Sequence, residues 1–434
     1  MASGRIPKII QVILIGVFIV VLGSSVVSSA DSDDFCDSYT ELYSIFCQYI
    51  PPESLEVISS EPEENPDSSG SQEDPRFSLP ECSLQTKLTI PPLNIDDYEV
   101  IAPLGNLNPP GHTLPTDHIY YYLTRDDVLG TVKANIYAPG DIRIFSLDFS
   151  RYFIDGVEQY IDYTIIFPPC RDQTLRFGHV RTLNTQLLEI LNNSEVRCGE
   201  VYGLGPETYQ YCWVDLALDV EAGTILGTAG GFNFGSWALD LWAFDLSTPP
   251  LQYTSSMRYG LSLNDQSFHV VCPLDLFTDE VRQEQESKVG LVGGNKRTIE
   301  PICGEVMQDI SGTAQGNWFA GEDLTDMSKW DKHLAFVHDN FDPAFSAISI
   351  GGTVMDSGVW LFMAENNGTI NRQFSDVTPD GKKYCYDATA NSGYNGFPGF
   401  LIIQLLSTTE WLVEHGNGIC ELNVDFVNPI TYHR

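Results

Sequence analysis

Five side chains in this 434-residue chain have the types and spacing of a metal or acid–base site. His112, Asp117 and His118 sit together in GHTLPTDHIYYY, Gly111 to Tyr122, where Pro115 stiffens the turn that carries them. His179 lies between Gly178 and Val180, and Asp240 lies within WALDLWAF, flanked by apolar residues. Imidazole nitrogens and carboxylate oxygens are ordinary zinc ligands, held at ~2.0–2.2 Å. An acid inside an apolar strand must be paired or bound, because an unpaired buried charge is costly. Each residue also has a plainer reading. Asp117 can close a turn through its own backbone, and a histidine beside tyrosines or between Gly and Val can be a satisfied core residue.

One site can form from these segments only if neighbouring strands carry them on one face, with donor atoms within about 4 Å of each other. Alternation along WALDLWAF puts Asp240 on a face with Ala238 and Trp242, opposite Leu239 and Leu241. His118 begins the strand HIYYYL. The condition is therefore that His112 or His118, His179 and Asp240 converge.

The elements that must do this are short strands. From about Cys82 the chain reads as alternating or β-branched runs broken by Gly, Pro, Asn and Asp: HIYYYLTR, GTVKANIYAPG, DIRIFSLDF, QYIDYTIIF, AGTILGTAGG and SWALDLWAFD. Such texture predicts an antiparallel sheet, sandwich or barrel. Two helices interrupt it. NTQLLEILNN places Leu187, Leu188 and Leu191 on one stripe, and LDLFTDEVRQEQESKV reads as a polar-faced surface helix. Glycines 227, 230 and 231 read as hairpin and turn residues, since no helix pattern follows them. The expectation is a mainly β protein. An antiparallel sheet or barrel-sandwich domain with helical insertions spans 82–300, and a second β-rich domain, a sandwich or small barrel, spans 301–434. In the latter, LAFVHDNFDP gathers His338, Asp339 and Asp342, which could hold a cation, although the spacing is not that of an EF-hand loop.

Residues 1–30 combine a basic start, an apolar run and a small-residue stretch ending at Ser28-Ser29-Ala30, which is the pattern of a signal peptide or an N-terminal membrane anchor. Residues 31–50 carry Cys36 and Cys47, which one straight helix would hold ~16 Å apart, too far for a disulfide. The Pro/Ser/acid stretch at 51–80 is an expected disordered linker. An exported chain meets an oxidising environment, so the ten cysteines are expected mostly as disulfides, with Cys198–Cys212 one sequential candidate. Asn192-Asn193-Ser194 and Asn367-Gly368-Thr369 are glycosylation acceptor patterns. With 59 acidic and 23 basic residues, a formal charge of −36 repels phosphate backbones and excludes a nucleic-acid partner. A membrane contact would run only through an uncleaved N-terminus.

The order of motifs in residues 100–245 resembles the M23 (lysostaphin/LytM-like) metallopeptidases, which cut peptide cross-links in bacterial cell walls. The matching segments are GHTLPTDH, VKANIYAPGDIRI, RFGHV, DVEAGTILGTAGG and ALDLWAFD. The resemblance implies zinc, with ligands among His112, Asp117, His118 and Asp240, and His179 as acid–base group. Two departures stand out. Four residues separate His112 from Asp117 where the family has three, so His118 could substitute for either. The family's His-x-His is replaced by Ala238-Leu239-Asp240: the carboxylate can bind zinc, but alanine cannot activate a water. The expected function is an exported or cell-surface protein with a degenerate M23-like scaffold and a non-catalytic binding or structural role towards a cell-envelope or extracellular component. The alternatives are a zinc-dependent peptidase and a β-barrel carrier of a small ligand.

Overall fold

The computed structural model describes residues 79–434, apart from 84–86, 127–129, 132–133, 205–206, 231–236, 260–264, 322–328, 388–396 and 422–424. The expected export segment, the Cys36–Cys47 stretch, the expected linker up to residue 78 and Gly231 lie outside the described residues. All described residues belong to one compact unit, Ile50–Arg434.

The chain is mainly β, with two large antiparallel sheets. The first is built from β1 (Tyr98–Ala102), β2 (His118–Leu123), β5 (Asn135–Tyr137), β6 (Ile142–Ile154), β7 (Val157–Phe167), β8 (Gln173–Leu183), β9 (Arg197–Cys198), β10 (Tyr202–Leu204), β11 (Glu207–Val220), β12 (Ile225–Ala229) and β13 (Ala238–Asp245). A separate two-stranded ladder joins β3 (Arg125–Asp126) to β4 (Gly130–Thr131). The main order is β1-β2-β13-β8-β7-β6-β11-β10, with β12 bridging β5 and β8, and β9 beside β11.

Period-two alternation explains the central strands. Ile119 and Tyr121 of β2, Leu239 and Leu241 of β13, and Leu175 and Phe177 of β8 enter one continuous apolar core. Each such side chain contributes roughly 1.5–3 kcal/mol by leaving water. The opposite face carries His118, Asp240, Trp242 and Gly178. Asp240 pairs with Tyr120 on one side and Gly178 on the other, and Trp242 with His118 and Arg176. A one-residue slip would drive Asp240 into the core, so burial fixes the register. The expected sharing of a face by Ala238, Asp240 and Trp242 is what this pairing produces.

Helix α1 (Thr185–Asn193) starts where the Asn184 side chain accepts from the Leu187 amide. Leu187 is buried, but Leu188 is exposed, so the apolar stripe is narrower than the expected trio. Helix α2 (Asp279–Glu286) is polar, yet Gln285 is fully buried and accepts a hydrogen bond from the Tyr121 hydroxyl. It is thus pinned to the back of β2, more than a surface helix. Gly227 lies inside β12 and not in a turn: a Cβ there would collide with the Thr182 carbonyl of β8, so glycine permits the close pairing.

The second sheet runs β17 (Gly358–Phe362), β16 (Ser346–Ile350), β15 (His333–His338), β14 (Gly316–Ala320), β21 (Ile430–His433), β20 (Glu410–Gly416), β19 (Phe400–Leu405), β18 (Tyr384–Tyr386). It curls until rings from its two end strands, Phe362 and Tyr386, lie 5.8 Å apart. Trp318, Trp411, Phe336 and Phe374 fill the interior. The HDNFDP segment is a turn after β15. Asp339 Oδ2 accepts from the Phe341 and Asp342 amides at 3.2 and 2.8 Å, so this carboxylate caps a turn, as Asx residues do, in place of the cation role read from its spacing.

Four disulfides, Cys82–Cys170, Cys198–Cys212, Cys272–Cys303 and Cys385–Cys420, fit an oxidising compartment.

Candidate functional site

The first segment, Gly111 to Asp117, is a turn. Asn108 and His112 exchange two backbone hydrogen bonds at 2.8 and 3.1 Å, and Thr113 Oγ1 donates to the Pro110 carbonyl. The turn ends as β2 begins, which delivers Asp117 to the rim of the sheet and His118 to its polar face. His118 is buried against the Trp242 indole, with ring centroids 4.0 Å apart. The His112 ring lies 5.4 Å from that of His118.

His179 reaches the same face by a different device. Simple alternation would send it to the core side, because Gly178 already faces Asp240. The β7–β8 register shifts between Tyr163 and Ile165, so two residues of β8 oppose one of β7. His179 takes φ 57°, in the left-handed region that non-glycine residues seldom adopt. This β-bulge turns the imidazole back over the polar face, the kind of re-aiming for which bulges are used next to sites. Gly178 is required beside it, since a Cβ would come within 2.6 Å of the Trp242 ring.

The result is a row in which carboxylates and imidazoles alternate: Asp117, His118, Asp240, His179, Asp162. His118 Nδ1 lies 2.9 Å from Asp117 Oδ1, and His118 Nε2 lies 3.6 Å from Asp240 Oδ2. His179 Nε2 is 3.2 Å from the same Asp240 oxygen, and His179 Nδ1 is 2.7 Å from Asp162 Oδ2. Trp242 Nε1 donates to Asp117 Oδ1 at 2.9 Å and so fixes the outer carboxylate. Each outer acid holds Nδ1 of its histidine, which aims Nε2 at the centre. Buried His118 Nε2, Asp240 Oδ1 and Asp162 Oδ1 have no hydrogen-bond partner among the described residues.

The charges follow from burial and neighbours. Burial opposes a charge on His179, but Asp240 and Asp162 outweigh it and raise the imidazole to about 9. Burial lowers His112 to about 4, helped by His118 and opposed by Asp117. Asp240 is raised by burial against the pull of His179 and His118. For Asp117 burial acts upward, but the hydrogen bond and field of His118, with Arg176 and Trp242, bring it below the usual carboxylate range. At neutral pH His179 is therefore charged and His112 neutral.

The structure thus brings His118, His179 and Asp240 together, sets His112 beside them, and makes Asp117 an orienting group at the edge. Among the described residues no group of three or more His, Cys, Asp or Glu is assembled as a metal site. Asp162 and Trp242 were not recognisable from motifs. The signal for Asp162 was present, an acid in the apolar and aromatic run QYIDYTIIF. Two cavities of about 450 and 520 Å³ lie away from this row, along residues 297–310. The chain matches no family model, no curated protein and no solved structure.

Proposed function

We propose that this is an exported binding protein whose first sheet is an M23-like scaffold that takes a zinc-class divalent cation through His118, His179 and Asp240 and no longer hydrolyses peptides. The alternating row carries the reading. Ligand histidines in metal sites give their second ring nitrogen to a carboxylate, as both histidines do here. Zinc–ligand bonds of ~2.0–2.1 Å imply a tetrahedral edge of about 3.3 Å, close to the 3.2 and 3.6 Å separations around Asp240. Seating an ion requires a small shift of the rings and loss of the His179 proton. A bound cation would offer an open coordination position to a carbonyl or carboxylate of an extracellular or cell-envelope partner.

Ala238 supports the absence of hydrolysis. Its methyl is buried among Ala102, Tyr120 and Tyr122, so that position supplies no group to activate water.

One observation favours a hydrolytic alternative: a further imidazole, His112, stands 5.4 Å from the His118 ring at the edge of the row. Peptidase activity that disappears in His112→Ala while metal binding persists would establish it. The main proposal is tested by thermal unfolding of chelator-treated protein with added zinc. Zinc at ~100 times its Kd should stabilise by about 2.7 kcal/mol. That gain should vanish in Asp240→Ala and His118→Gln and persist in Asp279→Asn. Equal zinc effects in all variants would defeat the proposal.

A further inference from the structure

The two cavities along residues 297–310 share Glu300, Pro301, Glu305 and Met307, so they form one groove beside the connector between the two sheets. Their volumes, about 450 and 520 Å³, are in the range that holds side chains or small ligands. The larger end is floored by Leu104, Leu251, Val270 and Val306. The smaller end is walled by Glu300, Glu305, Asp309 and Asp339. The larger cavity thus sets an apolar floor below Asp275, Glu286, Glu300 and Glu305, and it adjoins the smaller, more polar one.

The arginines of the walls are already engaged. Arg297 is buried and donates to the carbonyls of Pro301, Asn340 and Phe341 at 3.0, 2.6 and 2.8 Å. Arg282 faces Asp275, Asp279 and Glu286. Glu300 and Glu305 are exposed at the shared centre of the groove. A bare metal ion is a poor fit. Calcium needs six to eight oxygens at ~2.3–2.6 Å, whereas Asp309 and Asp339 accept backbone amides and half of the groove is apolar. The chain's charge of −36 favours cationic partners over anionic ones.

We propose that the groove docks an extended segment of a basic partner protein, with an apolar side chain in the larger cavity and a lysine or arginine in the smaller one. This site is independent of the His/Asp row. Charge complementarity selects the basic residue, and the floor selects its apolar neighbour.

The test is fluorescence anisotropy of the intact, disulfide-bonded protein with a labelled Arg-Leu-Lys-Leu-Arg peptide at ~0.15 M salt, where long-range attraction is screened beyond ~8 Å. The double variant Glu300→Gln/Glu305→Gln changes exposed residues and should weaken binding about tenfold, and Met307→Trp, which fills the groove, should do the same. Glu280→Gln/Glu284→Gln removes the same charge from exposed positions of α2 and should change binding less than about twofold. A peptide with serines in place of the leucines should bind at least about tenfold more weakly. The proposal is overturned by absence of binding, by equal losses in groove and α2 variants, or by indifference to the leucines.

Discussion

The His179 imidazole should make the fold lose stability as pH rises. Its folded value is about 9 against an unfolded 6.5. A group raised on folding contributes its stabilisation fully below the unfolded value and loses it as pH climbs through the folded one. The window is therefore pH 6.5 to about 9, with stability falling across it. At ~1.36 kcal/mol per pH unit the full difference is about 3 kcal/mol. The side chain is 27% exposed, so screening leaves on the order of 1–2 kcal/mol. Burial opposes the charge, and Asp240 is the largest opposing influence. Asp240→Asn should flatten most of the slope, and Asp162→Asn part of it. The assay is urea unfolding at pH 6, 7, 8 and 9 with disulfides intact, comparing wild type, Asp240→Asn and His179→Asn. Asparagine tolerates the left-handed backbone at 179, so the last variant removes the titration without adding strain. A wild-type slope that is flat, or equal in all three proteins, would refute the reasoning.

Gly178→Ala places a methyl 2.6 Å from the Trp242 ring and should cost roughly 1–3 kcal/mol by overpacking, read as a lower urea midpoint. Trp242→Phe deletes the donor to Asp117 and should destabilise by about 1 kcal/mol while raising the Asp117 pKa, measurable by carboxyl NMR titration. Asp162→Asn should weaken zinc binding about 10–100-fold, the usual effect of losing a carboxylate behind a ligand histidine, as isothermal calorimetry would report. Thiol titration of denatured, unreduced protein should find at most two free groups, because four disulfides use eight of the ten cysteines.

Alternation made the sheets legible in the sequence, because one buried face per strand leaves a period-two trace. Asp240 was legible for the same reason: a charge among Leu239, Leu241 and Trp242 has to meet a partner. His118 was legible as the first residue of an aromatic strand. The bulge was not. Nothing local marks His179 for a positive φ; that conformation comes from pairing with β7, which is set by residues some fifteen positions away. Asp162 is marked only as an acid in an apolar, aromatic strand; its pairing with His179 arises when the bulge turns the imidazole towards it. Asp339 erred the other way: acids close in sequence suggested a cation, but a carboxylate two residues before a free amide satisfies that amide first.

The central claim is that His118, His179 and Asp240 can close on one divalent ion. Cobalt(II) titration of chelator-treated protein, followed by visible absorption, tests it most directly, because four-coordinate cobalt absorbs far more strongly than the hydrated ion. An intense band should appear, saturating at one cobalt per chain, displaced by zinc and absent in Asp240→Ala. Spectra no stronger than free cobalt, or a band that survives Asp240→Ala unchanged, would contradict it.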